Sequence, residues 1–130
     1  MNKQRRKQLE DIYFTLDKLM DQISDVDFTS DDGWTFHFDV LHALEDLRIL
    51  TGFEEESFYN RSEGSQQSAS GQESEMAIDS MNEASDCLEE FLDALYKVQQ
   101  SRRPKTIEKY LNEATEIFQQ ALDALSDISF

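Results

Sequence analysis

Carboxylates dominate the chemistry open to this sequence, which holds 28 Asp plus Glu against 12 Lys plus Arg, two histidines and one cysteine. Asp39 and His42 are spaced as on a metal-binding bundle helix, but a di-iron site needs a second such motif and further inward glutamates, and the sequence has no second motif. Asp25, Asp27, Asp31 and Asp32 suggest a calcium loop. Setting Gly33 at the sixth loop position puts Phe28 at the first, where a carboxylate is required, so that pattern fails. Cys87 falls between Ala84 and Leu88 beside an apolar stripe, the place of a small buried thiol rather than a nucleophile. There is no glycine-rich phosphate loop, zinc-type cysteine spacing or nucleophile elbow. The expectation is a chain without catalytic residues, metal site or cofactor.

Collective charge is the remaining chemistry. The formal net charge is -16, and residues 8 to 96 hold 23 acids against Lys18, Arg48 and Arg61, or 3 minus 23, giving -20. Such a body disfavours direct contact with nucleic acid or an anionic membrane, whose affinity comes from basic residues meeting phosphates. It suits a basic protein surface instead, where carboxylates on a rigid helix imitate the phosphates of a nucleic acid and displace its counterions. The residues expected to bind such a partner are Glu45, Asp46, Glu54, Glu55, Glu56, Asp79, Glu83, Asp86, Glu89, Glu90 and Asp93. The bases form two clusters, Lys3, Arg5, Arg6 and Lys7 at the start, and Lys97, Arg102, Arg103, Lys105 and Lys109 later on. They are expected to neutralise nearby acids, with Arg6 facing Glu10 and Lys7 facing Asp11 at spacing four.

These side chains need helices to hold them. Leu9, Ile12, Leu16, Leu19, Ile23 and Val26 are spaced 3, 4, 3, 4, 3, one helical stripe widened by Tyr13, Phe14 and Met20. Thr29 to Gly33 is a cluster of turn formers that breaks the pattern. Trp34, Phe36 and Phe38 alternate with Thr35 and His37, which fits a brief extended lead-in with Trp34 and Phe36 packed on the core, or else an earlier helix start, since Phe36, Val40, Leu44, Leu47 and Leu50 share a helical face. A second, shorter helix is expected from about Asp39, an N-cap type, through Val40, Leu44, Leu47 and Leu50.

Ser62 to Ser74 is rich in Ser, Gln and Gly and reads as a mobile loop over about 62–74. Ser70 with Glu73 has capping-box spacing to open the third helix, with the stripe Met81, Ala84, Leu88, Phe91, Leu95 and Val98. Pro104 starts the last helix, through Ile107, Leu111, Ala114, Phe118, Ala121, Leu125 and Ile128. Met81 to Leu95 and Leu111 to Leu125 share seven of fifteen residues, by duplication or by convergence of two bundle helices. The expected fold is all-α, an antiparallel helical bundle of three long helices plus one shorter helix, forming a single acidic domain over residues 1–130. With one cysteine and no run of about 18 apolar residues, a cytoplasmic protein is expected, a monomer or a homodimer paired through its heptad faces.

One stretch resembles a known group. Glu54-Glu55-Glu56-Ser57-Phe58, Asn60, Ser62-Glu63, Gly71, Glu75, Ala77-Ile78-Asp79 and Glu83-Ala84 are similar to a signature of small acidic helical proteins of Firmicutes bacteria and their phages. There a glutamate run and Phe or Tyr precede an Asn-Leu-Pro-Glu-Ser turn and an acidic helix opening with Ala-Ile-Asp; here Asn60-Arg61-Ser62-Glu63 lacks the Leu-Pro pair. The resemblance, confined to residues 54 to 84, implies a phage or mobile-element origin and no known active site. Small acidic phage proteins include inhibitors of host nucleases, anti-CRISPR proteins among them, so the expected partner is a CRISPR effector or another defence nuclease. The alternative expectation is a helical assembly or adaptor module.

Overall fold

The computed structural model describes residues 1–128; Ser129 and Phe130 lie outside the described residues. Helix α1 spans Lys3–Gln22 and runs into a 3-10 turn at Ile23–Asp25; α2 spans Asp31–Tyr59, α3 Glu63–Gln66, α4 Ala69–Gln100 and α5 Pro104–Ser126. Among the described residues there is no strand. No described helix is long and apolar enough to cross a membrane.

The first stripe forms α1 through Leu9, Ile12, Leu16 and Leu19, while Ile23 lies in the 3-10 turn, Val26 beyond it, and Phe14 faces outward rather than widening the stripe. Asn2 caps it by accepting a 2.8 Å hydrogen bond from the Arg5 amide, and Leu9, Leu16 and Leu19 are buried. The connection to α2 is locally tied. Asp27 Oδ1 accepts from the Thr29 amide at 3.0 Å and from its hydroxyl at 2.6 Å, while the Ser30 hydroxyl donates to the Asp27 carbonyl at 2.9 Å.

Helix α2 starts eight residues earlier than Asp39. The cap is Ser30, whose hydroxyl accepts from the Asp32 amide at 3.3 Å, and Asp31 and Asp32 in the first turn complement the helix dipole. The Thr29 to Gly33 cluster therefore spans the end of the break and the start of the helix, with Thr29 and Ser30 in the turn and Asp31 to Gly33 in the first turn of α2. Residues 34–38 are helical, with Phe36 inside at 3 % exposure and Trp34 and Phe38 outside at 38 % and 52 %. Trp34 is not core packing. At 29 residues α2 is longer than α1 (20) and α5 (23), so the expected short second helix is a long one, and the short element is the four-residue α3.

The stretch expected as a loop at 62–74 holds α3 and the opening of α4. Serine caps build it. Ser62 accepts from the Ser65 amide at 3.2 Å, and Ser68 accepts from the Gly71 amide at 3.1 Å, so Ser68 rather than Ser70 opens α4. Gln66 Nε2 donates to the carbonyls of Phe58 and Arg61 at 3.2 and 3.3 Å, tying the corner to the end of α2. Gly71 is required because a Cβ there would collide with the carbonyl oxygens of Ser65 and Gln66.

Cross-helix contacts give the topology. Arg5 meets Glu54, Trp34 meets Tyr96 and Phe91 meets Phe118, so α1, α2, α4 and α5 alternate in direction, and α5 also packs on α1. The α4–α5 hairpin is the most extensive interface, its close approach allowed by buried Ala84, Ala114, Ala121 and Ala124. Phe28, Phe36, Phe91 and Phe118 form an edge-to-face chain through one core, with centroids 5.5, 6.3 and 4.7 Å apart.

Glycine substitutions separate packing from helix propensity. Gly52→Ala, in open space on α2, should stabilise by about 0.5–1 kcal/mol. Gly33→Ala should instead destabilise by about 1–3 kcal/mol, because its Cβ would lie 2.7 Å from the Phe28 Cα. Urea midpoints at constant slope check both, and a Gly33→Ala variant as stable as Gly52→Ala would contradict the close approach of Phe28.

Candidate functional site

Glu54 is the one carboxylate buried by the described residues, at 0 % exposure. Arg5 Nε of α1 donates to its Oε2 at 2.6 Å, the Ser74 hydroxyl of α4 donates to Oε1 at 2.6 Å, and the Met1 amino group lies 3.4 Å from Oε1. Arg5 Nη2 also donates to Ser57 Oγ at 3.2 Å. Burial alone would raise the Glu54 pKa, but the hydrogen bonds from Ser74 and Arg5 and the nearby positive charges outweigh it, leaving the carboxyl below its ordinary range. Glu54 is therefore removed from the expected partner-binding array. It is an internal clamp across three helices.

The other expected residues divide by helix. Asp79, Glu83, Asp86, Glu89, Glu90 and Asp93 are all exposed on α4 and, with Glu75, form an acidic ridge that no base interrupts. From 75 to 93 is 18 residues, or about 27 Å at about 1.5 Å per residue, so seven carboxylates stand on average about 4.5 Å apart along the axis. Phosphates on one DNA strand are spaced about 3.4 Å apart along the duplex axis. Glu89 is partly neutralised by Arg48 of α2 at 2.7 Å, across two half-exposed side chains.

On α2, Glu45, Asp46 and Glu56 are exposed and Glu55 is half-buried. Asp46 and Glu56 line the groove between α1 and α2, away from the ridge. The structure thus brings six of the eleven expected residues together on α4 and leaves the α2 acids as a separate group.

The basic clusters have unequal fates. Arg5 is turned inward to Glu54, Lys7 pairs with Asp11 at 3.2 Å, and Arg6 pairs with Glu73 of α4 at 3.4 Å rather than with Glu10. Lys97, Arg102, Arg103, Lys105 and Lys109 enter no ion pair among the described residues.

Cys87 is half-buried, and burial followed by the fields of Glu83, Glu90 and Asp86 pushes its thiol pKa up, away from the reactive thiolate. Among the described residues no group of three or more His, Cys, Asp or Glu is placed to hold a metal ion.

An aromatic cluster went unrecognised in the sequence. Trp34 lies 5.5 Å from His37, 6.5 Å from Phe38 and 6.5 Å from Tyr96 of α4, all by ring centroid, with Phe38 and Tyr96 half exposed. The signal was present: with Phe36 on the buried stripe of a helix, positions 34 and 38 must face outward. Comparisons with protein-family models, with curated proteins and with solved structures find no match.

The Glu54 clamp has a defined pH signature. Its folded pKa lies below the ordinary 4.5, so its stabilisation is fully present above about pH 4.5 and is lost as pH falls through the folded value. Glu54→Ala should cost about 3 kcal/mol at neutral pH, by leaving Arg5 without its partner. The gap in melting temperature between the parent and Glu54→Gln should narrow between about pH 6 and about pH 3. A gap that stayed constant would show that the carboxylate charge is not what the clamp uses.

Proposed function

We propose that this chain is a non-enzymatic protein of phage or mobile-element origin that binds and inhibits a basic nucleic-acid-handling protein of the bacterial host, a CRISPR effector or another defence nuclease. It acts in the cytoplasm without cofactor, metal or direct nucleic-acid contact. The α4 ridge carries the reading. Seven carboxylates on one helix, about 4.5 Å apart on average and with Glu89 alone paired to a base, offer a basic groove a charge spacing comparable to that of a nucleic-acid strand. A helix already formed needs no backbone reordering on binding, so the electrostatic attraction is offset by side-chain freedom alone among the conformational terms.

A second reading, assembly or adaptor pairing through heptad faces, draws support from one observation. The seams of α1, α4 and α5 are occupied in the core, but α2 carries further apolar residues on its outside, Phe38, Ile49 and Phe53 among them. Light scattering separates the readings, a monomer favouring the ridge and a stable homodimer favouring assembly.

The test of inhibition is competition. Purified CRISPR effectors and other basic defence nucleases are loaded with labelled nucleic acid and titrated with this protein at about 50 and about 200 mM salt. Displacement should weaken steeply with salt. Replacing Asp79, Asp86, Glu90 and Asp93 with Asn or Gln should weaken it about tenfold or more, with circular dichroism unchanged. Displacement indifferent to both salt and neutralisation would overturn mimicry.

A further inference from the structure

Among the described residues, five of the eight exposed large apolar ones lie on α2: Trp34, Phe38, Ile49, Phe53 and Tyr59. The inward face of the same helix buries Phe36, Val40, Leu44, Leu47 and Phe58, so α2 is apolar on two sides and only one is used by the core. Trp34, Phe38, Ile49 and Phe53 run along 19 residues, or about 29 Å at about 1.5 Å per residue. At one end the stripe widens onto α4 through Tyr96, 6.5 Å from Trp34. At the other, Ile49 and Phe53 adjoin Ile12 of α1 across a cavity of about 290 Å³.

The charges around the stripe select its occupant. Glu45, Glu56 and His42 interrupt it, Asp46 borders it, and Arg48, the one Lys or Arg of α2, is held by Glu89. A second copy would set these carboxylates against themselves in a pair whose members each carry -16. A basic partner meets them with opposite charge.

We propose that the outer face of α2 docks an amphipathic basic helix of the partner protein, its apolar side on Trp34, Phe38, Ile49 and Phe53 and its Lys and Arg on Glu45, Asp46 and Glu56. This deepens the inhibitor reading and rests on it in taking the partner as basic, but the contact is a helix in an apolar seat rather than a charge ridge. The ridge on α4 then supplies long-range attraction, and α2 holds the complex once formed.

Trp34 is the only tryptophan, so its fluorescence reports the seat directly. The probe is a synthetic Leu/Lys peptide of about 18 residues, amphipathic when helical, beside a peptide of the same composition permuted to lack an apolar face. The amphipathic peptide should blue-shift Trp34 and saturate at one per chain, with at most about a tenfold loss of affinity in about 0.5 M salt. Phe38→Ser combined with Ile49→Ser, both at exposed positions, should weaken it about tenfold or more with helicity intact. Replacing Asp79, Asp86 and Asp93 with Asn should leave it within about twofold, since those residues lie on the ridge and outside the seat.

Equal binding of the permuted peptide, no binding of either, or self-association in sedimentation that the Phe38→Ser, Ile49→Ser variant abolishes would overturn the proposal, the last in favour of a second copy. Docking that persists while nuclease competition fails would overturn the ridge reading alone.

Discussion

A single carboxylate held out of water organises this molecule. Glu54 of α2 takes hydrogen bonds from Arg5 of α1 and Ser74 of α4, so three of the four long helices meet at one charge. A buried ion pair is a poor source of net stability but a severe judge of register, because sliding α1 or α4 by one turn would strand a charge or a polar group in hydrocarbon. The constraint matters in a chain of net charge -16, where mutual repulsion pushes the helices apart. An apolar core alone would tolerate several offsets of leucine against leucine. The clamp selects one of them, and with it the relative position of α2 and α4.

That position sets the exterior. Helix α4 turns a row of carboxylates to solvent while α2, beside it, shows aromatic and aliphatic side chains. The two surfaces are joined by Arg48 with Glu89 and by Trp34 with Tyr96. Their physical ranges differ. Charges act over about 10 Å at moderate salt and fade as ions are added, whereas apolar contact acts only on touching and survives salt. A partner approaching such a body would be drawn by one surface and retained by the other.

Periodicity made much of this legible. The 3, 4, 3, 4, 3 spacing from Leu9 and from Met81 forms α1 and α4, and the apolar spacing after Pro104 forms α5, because a face that must be buried leaves its phase in the sequence. Where α2 starts was harder to read, since Thr, Ser, Asp and Gly serve turns and caps alike, and Trp34, Phe36 and Phe38 alternate in a way that also fits a helix with apolar residues on opposite faces. The α3 corner was obscured for another reason. Its order comes from Ser62, Ser68 and the missing Cβ of Gly71, each a local geometric device that composition averages away.

The candidate site was legible in part. The α4 acids follow from the phase of their helix, but nothing in the composition distinguishes Glu54 from Glu55 and Glu56. Only the continuation of Leu47, Leu50 or Thr51, and Phe58 through position 54 points inward, and a glutamate on that line is easily dismissed as an outlier.

The up-and-down order of the helices bears on how the chain reaches this state. Each long helix packs on its neighbour in sequence, with α3 alone inserted at a corner, and the more distant parts are joined by the closure of α5 on α1 and by Arg6 with Glu73 of α4. Structures built this way pay little loop-closure entropy before contacts form, and they belong to the fast end of folding rates, microseconds to milliseconds. The α4–α5 hairpin, with its close alanine seam, is the arm best suited to assemble first and template the rest. Once the chain is complete, a molecule so arranged spends little time with its apolar stripes bare, which limits its exposure to aggregation and proteolysis.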